Sequence, residues 1–147
     1  MLPNGVYYGQ QMLTNEVSRV RSKLKLSDGE WRLMNLLWQS APRTIAQMVR
    51  ELESETGWKK NTIFVMLTRL EEKGAVRFED GGRSRQYYPC IRREDAAAEE
   101  TESFLARVYG GSLQMMVSSM AGQRALSRQD IDELYEILRQ AEKEVQE

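Results

Sequence analysis

No histidine occurs anywhere in the 147 residues, and cysteine occurs once, at Cys90. Without an imidazole, Ser-His-Asp and Cys-His catalysis, His-bearing zinc sites and the HExxH metalloprotease arrangement are excluded. A lone thiol forms neither an internal disulfide nor a CxxC site, which fits a reducing compartment. Long hydrophobic runs are missing too: stretches such as Ile63 to Leu67 fall far short of the roughly 20 residues a membrane helix needs. The opening MLPNGVYYGQQ lacks the basic-then-apolar layout of a signal peptide. These absences lead us to expect a cytoplasmic protein without membrane insertion. No acid–base pair or nucleophile constellation is visible, so neither an enzyme nor a bound cofactor or metal is expected.

What the chain does have is 41% hydrophobic and 29% charged residues, a composition that fits one or two small soluble domains. Its net charge of -1 hides a division: residues 1–93 hold 16 Lys and Arg against 10 Asp and Glu, whereas residues 94–147 hold 5 against 12. One half is therefore +6 and the other -7. Either one half meets a polyanion, or two solvated surfaces happen to differ in sign.

Residues 1–22, with Pro3, Gly5, Gly9 and the aromatics Tyr7 and Tyr8, read as a loose N-terminal extension. Organised pattern begins near Leu26, where Ser27 and Glu30 form a capping box ahead of Trp31, Met34, Leu37 and Trp38. That helix is expected to end near Ser40. A second begins at Thr44, with Gln47 three residues on and Ile45, Met48, Val49 and Leu52 along one side until Gly57. After Trp58-Lys59-Lys60, Asn61 or Thr62 is expected to cap a third helix that stops at Gly74.

The period then changes. Ala75-Val76-Arg77-Phe78, the turn Asp80-Gly81-Gly82 and the return Gln86-Tyr87-Tyr88 read as a β-hairpin closed by Pro89. Tyr87 and Tyr88 alternate, so one is expected inside and one outside. Three helices follow: Arg93 to Tyr109, with Ala97, Thr101, Phe104, Leu105 and Val108 on one side; Ser112 to Ala121, broken at Gly122; and Ser127 to Glu144, striped by Ile131, Leu134, Tyr135, Leu138 and Val145.

Three helices and a hairpin within a basic segment are the order of a winged helix-turn-helix domain, in which the third helix enters the major groove. The fold class expected is mainly α with a small β-hairpin: a winged helix-turn-helix over residues 23–92, then a helical dimerisation domain over 93–147. Steps of about 100° around the third helix bury Ile63, Met66, Leu67 and Leu70. Asn61, Val65, Thr68, Arg69 and Glu72 face outward, and Phe64 falls on the border. Asn61 suits a base edge or phosphate, Thr62 and Thr68 either, and Arg69 a phosphate. Phe64 and Val65 either touch thymine methyl groups or pack on the hairpin or second helix. Lys59, Lys60, Arg83 and Arg85 stand where a winged helix meets phosphates, within a stretch, 59–93, of 9 basic against 4 acidic residues. The expected partner of this half is double-stranded DNA. The spacing of the tryptophans and methionines points to packing rather than to a cofactor.

The 54 residues after Arg93 are too few for a sizeable core, so their apolar stripes need a partner. Folding back on the same chain and pairing with a second copy both answer that need. Pairing also joins two half-site contacts. The pairing surface expected is Phe104, Leu105, Val108, Leu113, Met116, Val117, Met120, Ile131, Leu134 and Leu138.

The run LSDGEWRLMNLLW, TIAQMVREL, TIFVMLTRLEEKGAV, the Gly-Arg-Ser-Arg hairpin with QYYP, and FLARVYGG resembles the penicillinase repressor (BlaI/MecI/CopY) family, from Leu24 to Glu144. The resemblance implies a homodimeric winged-helix repressor on a palindromic operator, of antibiotic-resistance or related stress genes. It also implies release through a membrane sensor-protease that causes cleavage in the dimerisation domain. Three departures stand out. Phe64 and Val65 stand where the β-lactam-responsive members carry Arg and Thr, so the operator sequence need not carry over. Ser119-Met120 stands at their scissile Asn-Phe bond, the candidate cleavage position here. The cysteine cluster of the copper-responsive members is absent. A different class of function also remains open, a winged helix used as a protein-interaction module whose basic hairpin meets an acidic partner.

Overall fold

The computed structural model describes residues 24–146, and the reading of residues 1–22 lies outside them. Six helices and one hairpin follow in the order α1 (Asp28–Gln39), α2 (Ile45–Thr56), α3 (Lys60–Glu72), β1 (Val76–Asp80), β2 (Arg85–Pro89), α4 (Arg93–Tyr109), α5 (Leu113–Gln123) and α6 (Arg128–Gln146). This is the mainly helical, winged helix-turn-helix architecture expected. The chain forms two compact units, with the division inside α4 between Thr101 and Glu102. Among the described residues no helix is long and apolar enough to cross a membrane.

Local chemistry starts the first two helices. The Ser27 hydroxyl accepts from the Glu30 amide at 3.2 Å while the Glu30 carboxylate accepts from the Ser27 amide at 2.8 Å. Thr44 and Gln47 repeat this reciprocal arrangement ahead of α2, each box satisfying two otherwise orphaned amides. α3 departs from expectation. Its N-cap is Lys59, without a side-chain cap bond, and Asn61 and Thr62 lie inside the first turn. The half-buried Trp58 packs against the core and its amide donates to the Thr56 hydroxyl at 3.1 Å. Packing at Trp58, rather than a cap, accompanies the turn into α3. A second correction concerns Gly122, which lies within α5 and does not break it. A helical glycine costs only about 1 kcal/mol relative to alanine, and α5 continues one residue past it, to Gln123.

The core of the first unit is formed by Leu33, Met34 and Leu37 of α1, Met48 and Leu52 of α2, Ile63, Leu67 and Leu70 of α3, Val76 of β1 and Tyr87 of β2. Each fully buried aliphatic side chain contributes about 1.5–3 kcal/mol relative to exposure. Leu33 belongs to this core, whereas Trp31 and Trp38 are only half-buried, their rings 5.8 Å apart. The Trp38 indole instead donates to the Ile91 carbonyl at 2.9 Å, tying α1 to the strand exit. Gly29 permits the close crossing of α1 and α3: a Cβ there would stand 2.8 Å from the Met66 sulfur and 3.3 Å from the Trp58 ring. Gly74, at φ 80°, turns the chain from α3 into β1.

β1 and β2 pair antiparallel with Phe78 opposite Tyr87 and Asp80 opposite Arg85. Tyr87 is buried and Tyr88 half-exposed, in line with the alternation. The pairing extends beyond the hairpin, since Arg43 and Tyr87 exchange backbone hydrogen bonds at 3.2 and 2.9 Å. The connection before α2 thus serves as a third, single-residue strand.

Glu30 is the only buried charged residue among those described. Its side chain is 3% exposed and lies 2.6 Å from the Lys73 ammonium, which is 32% exposed. Lys73→Met would strand that carboxylate, and should cost about 2–3 kcal/mol, the low end for a buried pair because water reaches the ammonium side. Glu30→Gln keeps an acceptor for the Ser27 amide and should cost about 1 kcal/mol. Urea unfolding of both variants checks this order; a smaller loss for Lys73→Met would show that the carboxylate is solvated without its cation.

Candidate nucleic-acid interface

α3 buries Ile63, Leu67 and Leu70 and leaves Asn61, Thr62, Phe64, Val65 and Arg69 exposed. Phe64 is 40% and Val65 38% exposed, large values for apolar side chains in mid-helix. Thr68 is half-buried, and its hydroxyl donates to the Phe64 carbonyl at 2.9 Å. Its one proton is therefore committed to its own helix.

The hairpin comes to this face through Arg85. Its guanidinium lies 4.0 Å from the Phe78 ring centroid and 5.8 Å from that of Phe64, so one cation bridges wing and helix. An open groove of about 460 Å³ results, lined by Ile45, Ala46, Lys60, Asn61, Phe64, Ser84 and Arg85. Of the expected site residues, the structure gathers Lys60, Asn61, Phe64 and Arg85 on this groove. Lys59, Thr62, Val65, Thr68, Arg69 and Arg83 do not line it, and Arg83 is exposed on the hairpin turn.

The basic character of the hairpin is uneven. Arg77 lies 4.2 Å from the Tyr88 ring centroid and 2.9 Å from the Glu79 carboxylate, and the Tyr88 hydroxyl donates to Glu79 at 3.2 Å. Arg77 is thus largely compensated. Desolvation raises the Tyr88 pKa, the Glu79 contact raises it further, and Arg77 opposes both. Desolvation likewise lifts the Cys90 thiol, with Arg77 opposing, which works against thiolate reactivity.

Sequence reasoning missed Arg43. Its guanidinium donates to the Leu36 carbonyl at the end of α1 and pairs with Glu51 of α2 at 2.8 Å, while its backbone pairs with Tyr87. One residue positions both helices against the hairpin. The available signal was an arginine between two well-capped helices, eight residues before an acidic partner.

In the second unit, Phe104, Val108, Leu113, Val117, Met120, Leu134 and Leu138 are exposed, whereas Leu105, Met116 and Ile131 are half-buried. Tyr135 and Ile137 add to the exposed set. The expected stripe of α4 is likewise outward, with Ala97 and Thr101 exposed and Ala96 the buried position. Ser119 and Met120 lie within α5, so a protease reaches that bond only after the helix opens.

The family model described as penicillinase repressor matches residues 26–140. The chain belongs to the penicillinase repressor family. A penicillinase repressor of Bacillus licheniformis is 35% identical over 78% of this chain and 89% of its own length. The methicillin resistance regulatory protein MecI of Mammaliicoccus sciuri is 27% identical over 78% of this chain and 93% of its own. Among solved structures, the Bacillus licheniformis BlaI monomeric form in complex with the blaP half-operator is 32% identical, covering 49% of this chain and 88% of that one with a TM-score of 0.43.

In this repressor-family chain the Arg85 cation is held within the hairpin by its stack on Phe78. A double-mutant cycle of Phe78→Ala and Arg85→Ala should return a coupling of about 0.5–1 kcal/mol, the range for an exposed cation–π pair. Thermal unfolding of the four proteins measures it, and strictly additive losses would show that the stacking contributes nothing.

Proposed function

We propose that the chain is a transcriptional repressor that binds duplex DNA through α3 and the hairpin, as a homodimer joined by its C-terminal helices. One observation carries the DNA-binding part: Arg85 reaches from the hairpin to α3, so Lys60, Asn61, Phe64 and Arg85 line a single groove. Two cations and an amide, set beside the outward face of a third helix, match what a major groove and its flanking phosphates require. Repression is supported by family membership and by the names of the relatives. A palindromic operator follows from two-fold symmetry, and the cytoplasm is where such an operator is reached.

The dimer rests on the second unit, in which neither α5 nor α6 has a buried residue. Leu134, Tyr135, Ile137 and Leu138 are 46–63% exposed along α6, and an amphipathic helix with nothing on its apolar face is marginal in water. We read residues 23–92 as the DNA-binding part and residues 93–147 as the pairing part. Release by an upstream sensor-protease would require α5 to open at Ser119-Met120. Nothing else in this reading depends on that cleavage.

Binding to a duplex selected from a random library should fall about a thousandfold between about 50 and 200 mM salt, given about six phosphate contacts. Arg83→Ala should weaken all duplexes alike, and Val65→Ala should shift base preference. No preference among duplexes, together with salt-sensitive capture of acidic proteins, would favour the protein-interaction module instead.

Leu134→Asp with Leu138→Asp should convert a dimer to a monomer in sedimentation and lower operator affinity about a hundredfold through loss of the linked second contact. A monomeric native chain, or full affinity in the monomeric variant, would remove the dimer from this reading.

A further inference from the structure

The outward chemistry of α3 changes along its length. Asn61 offers an amide in the first turn and Arg69 a guanidinium in the third. Between them the outward positions are Phe64, Val65 and Thr68, with the two apolar side chains 40% and 38% exposed. The Thr68 hydroxyl donates to the Phe64 carbonyl at 2.9 Å, and donation to guanine N7 or O6 would first have to break that bond. With that bond made it presents a methyl group and acceptor lone pairs; the lone pairs suit adenine N6 and cytosine N4 alike, and the methyl suits a thymine methyl.

We propose that the second turn of α3 reads thymine methyl groups, so that the bases beneath Phe64, Val65 and Thr68 are A·T pairs selected by apolar contact. The proposal rests on the DNA-binding reading above. In the major groove the one apolar feature that distinguishes the four base pairs is the thymine C5-methyl. Against a guanine or cytosine edge, Phe64 and Val65 would cover O6, N7 or N4 without replacing the hydrogen bonds those atoms make with water. Against thymine the same surfaces bury a methyl, worth about fourfold in affinity per group. Arg85 beside Phe64 brings a phosphate-seeking cation to the edge of this apolar patch without entering it.

The test uses the full-length native chain and a duplex it selects from a random library. The same duplex is regenerated by polymerase with dUTP in place of dTTP, which deletes every thymine methyl and leaves Watson–Crick pairing intact. Affinity should fall about tenfold or more for two or more contacted methyls, while affinity for the unselected pool should be unchanged. Val65→Ala, checked for an unchanged melting temperature, should lose a clear part of that discrimination. Equal affinity for the thymine and uracil duplexes would overturn the proposal and leave the repressor reading standing. Equal losses in the native chain and Val65→Ala would assign the effect to duplex shape and remove Val65 as a reader. Failure to select any duplex would remove the DNA-binding reading and this proposal with it.

Discussion

The Glu30 carboxylate constrains the first unit at two levels. It closes the capping box of α1 through the Ser27 amide and holds the Lys73 ammonium just past the end of α3. Lys73 in turn donates to the Lys25 carbonyl, so the residues leading into α1 and those leaving α3 are fastened together. An ion pair this buried adds little net stability over an apolar pair of the same shape. Its consequence here is positional: the 2.6 Å contact ties the end of α3 to the start of α1, beside the core in which Leu33, Met34 and Leu37 meet Ile63, Leu67 and Leu70. That packing decides which residues of α3 face outward.

Arg43 does for the hairpin what Glu30 does for α3. Its bonds to the Leu36 carbonyl and the Glu51 carboxylate hold the connection between α1 and α2, and the Arg43–Tyr87 backbone pair passes that placement to β2. Phe78 then packs 5.7 Å from the Tyr87 ring, and Arg85 stacks on Phe78. The position of the wing cation is therefore traceable, contact by contact, to a residue that does not itself line the groove. Substitutions at Arg43 would act on the interface through geometry, without removing any group that meets DNA.

The features legible in the sequence are those whose causes are local. Ser27–Glu30 and Thr44–Gln47 are four-residue boxes, and the structure forms both. The hairpin was legible because its period of two and its Gly-Gly turn are written in consecutive residues. The outward set of α3 followed from helical period alone, and the exposures of Asn61, Val65 and Arg69 agree with it. The start of α3 was not legible because the half-buried Trp58, rather than a capping side chain, marks the turn into the helix. Gly122 misled because a break was inferred from a residue whose local cost a continuing helix can absorb. Arg43 escaped because its partners are brought to it only by the tertiary fold. The Thr68 bond spans one turn, yet choosing it over solvent is a rotamer decision that a residue name does not carry.

The two units handle their apolar residues in opposite ways, and this difference bears on how the protein would respond to its own concentration. The first unit closes a core from three helices and a hairpin, so its recognition face is set within one chain. No residue of α5 or α6 is fully buried, and in the proposed dimer their order would depend on a second copy. Association then contributes to the stability of the second unit by mass action, while the first unit keeps its groove at any concentration. In such a dimer operator affinity would be the product of a fixed contact and a concentration-dependent link. Anything that covered Leu134, Ile137 and Leu138 in place of the second copy would then weaken operator binding without touching α3. The acidic character of this half opposes a DNA-binding role for the pairing surface, leaving the basic half to meet the polyanion alone.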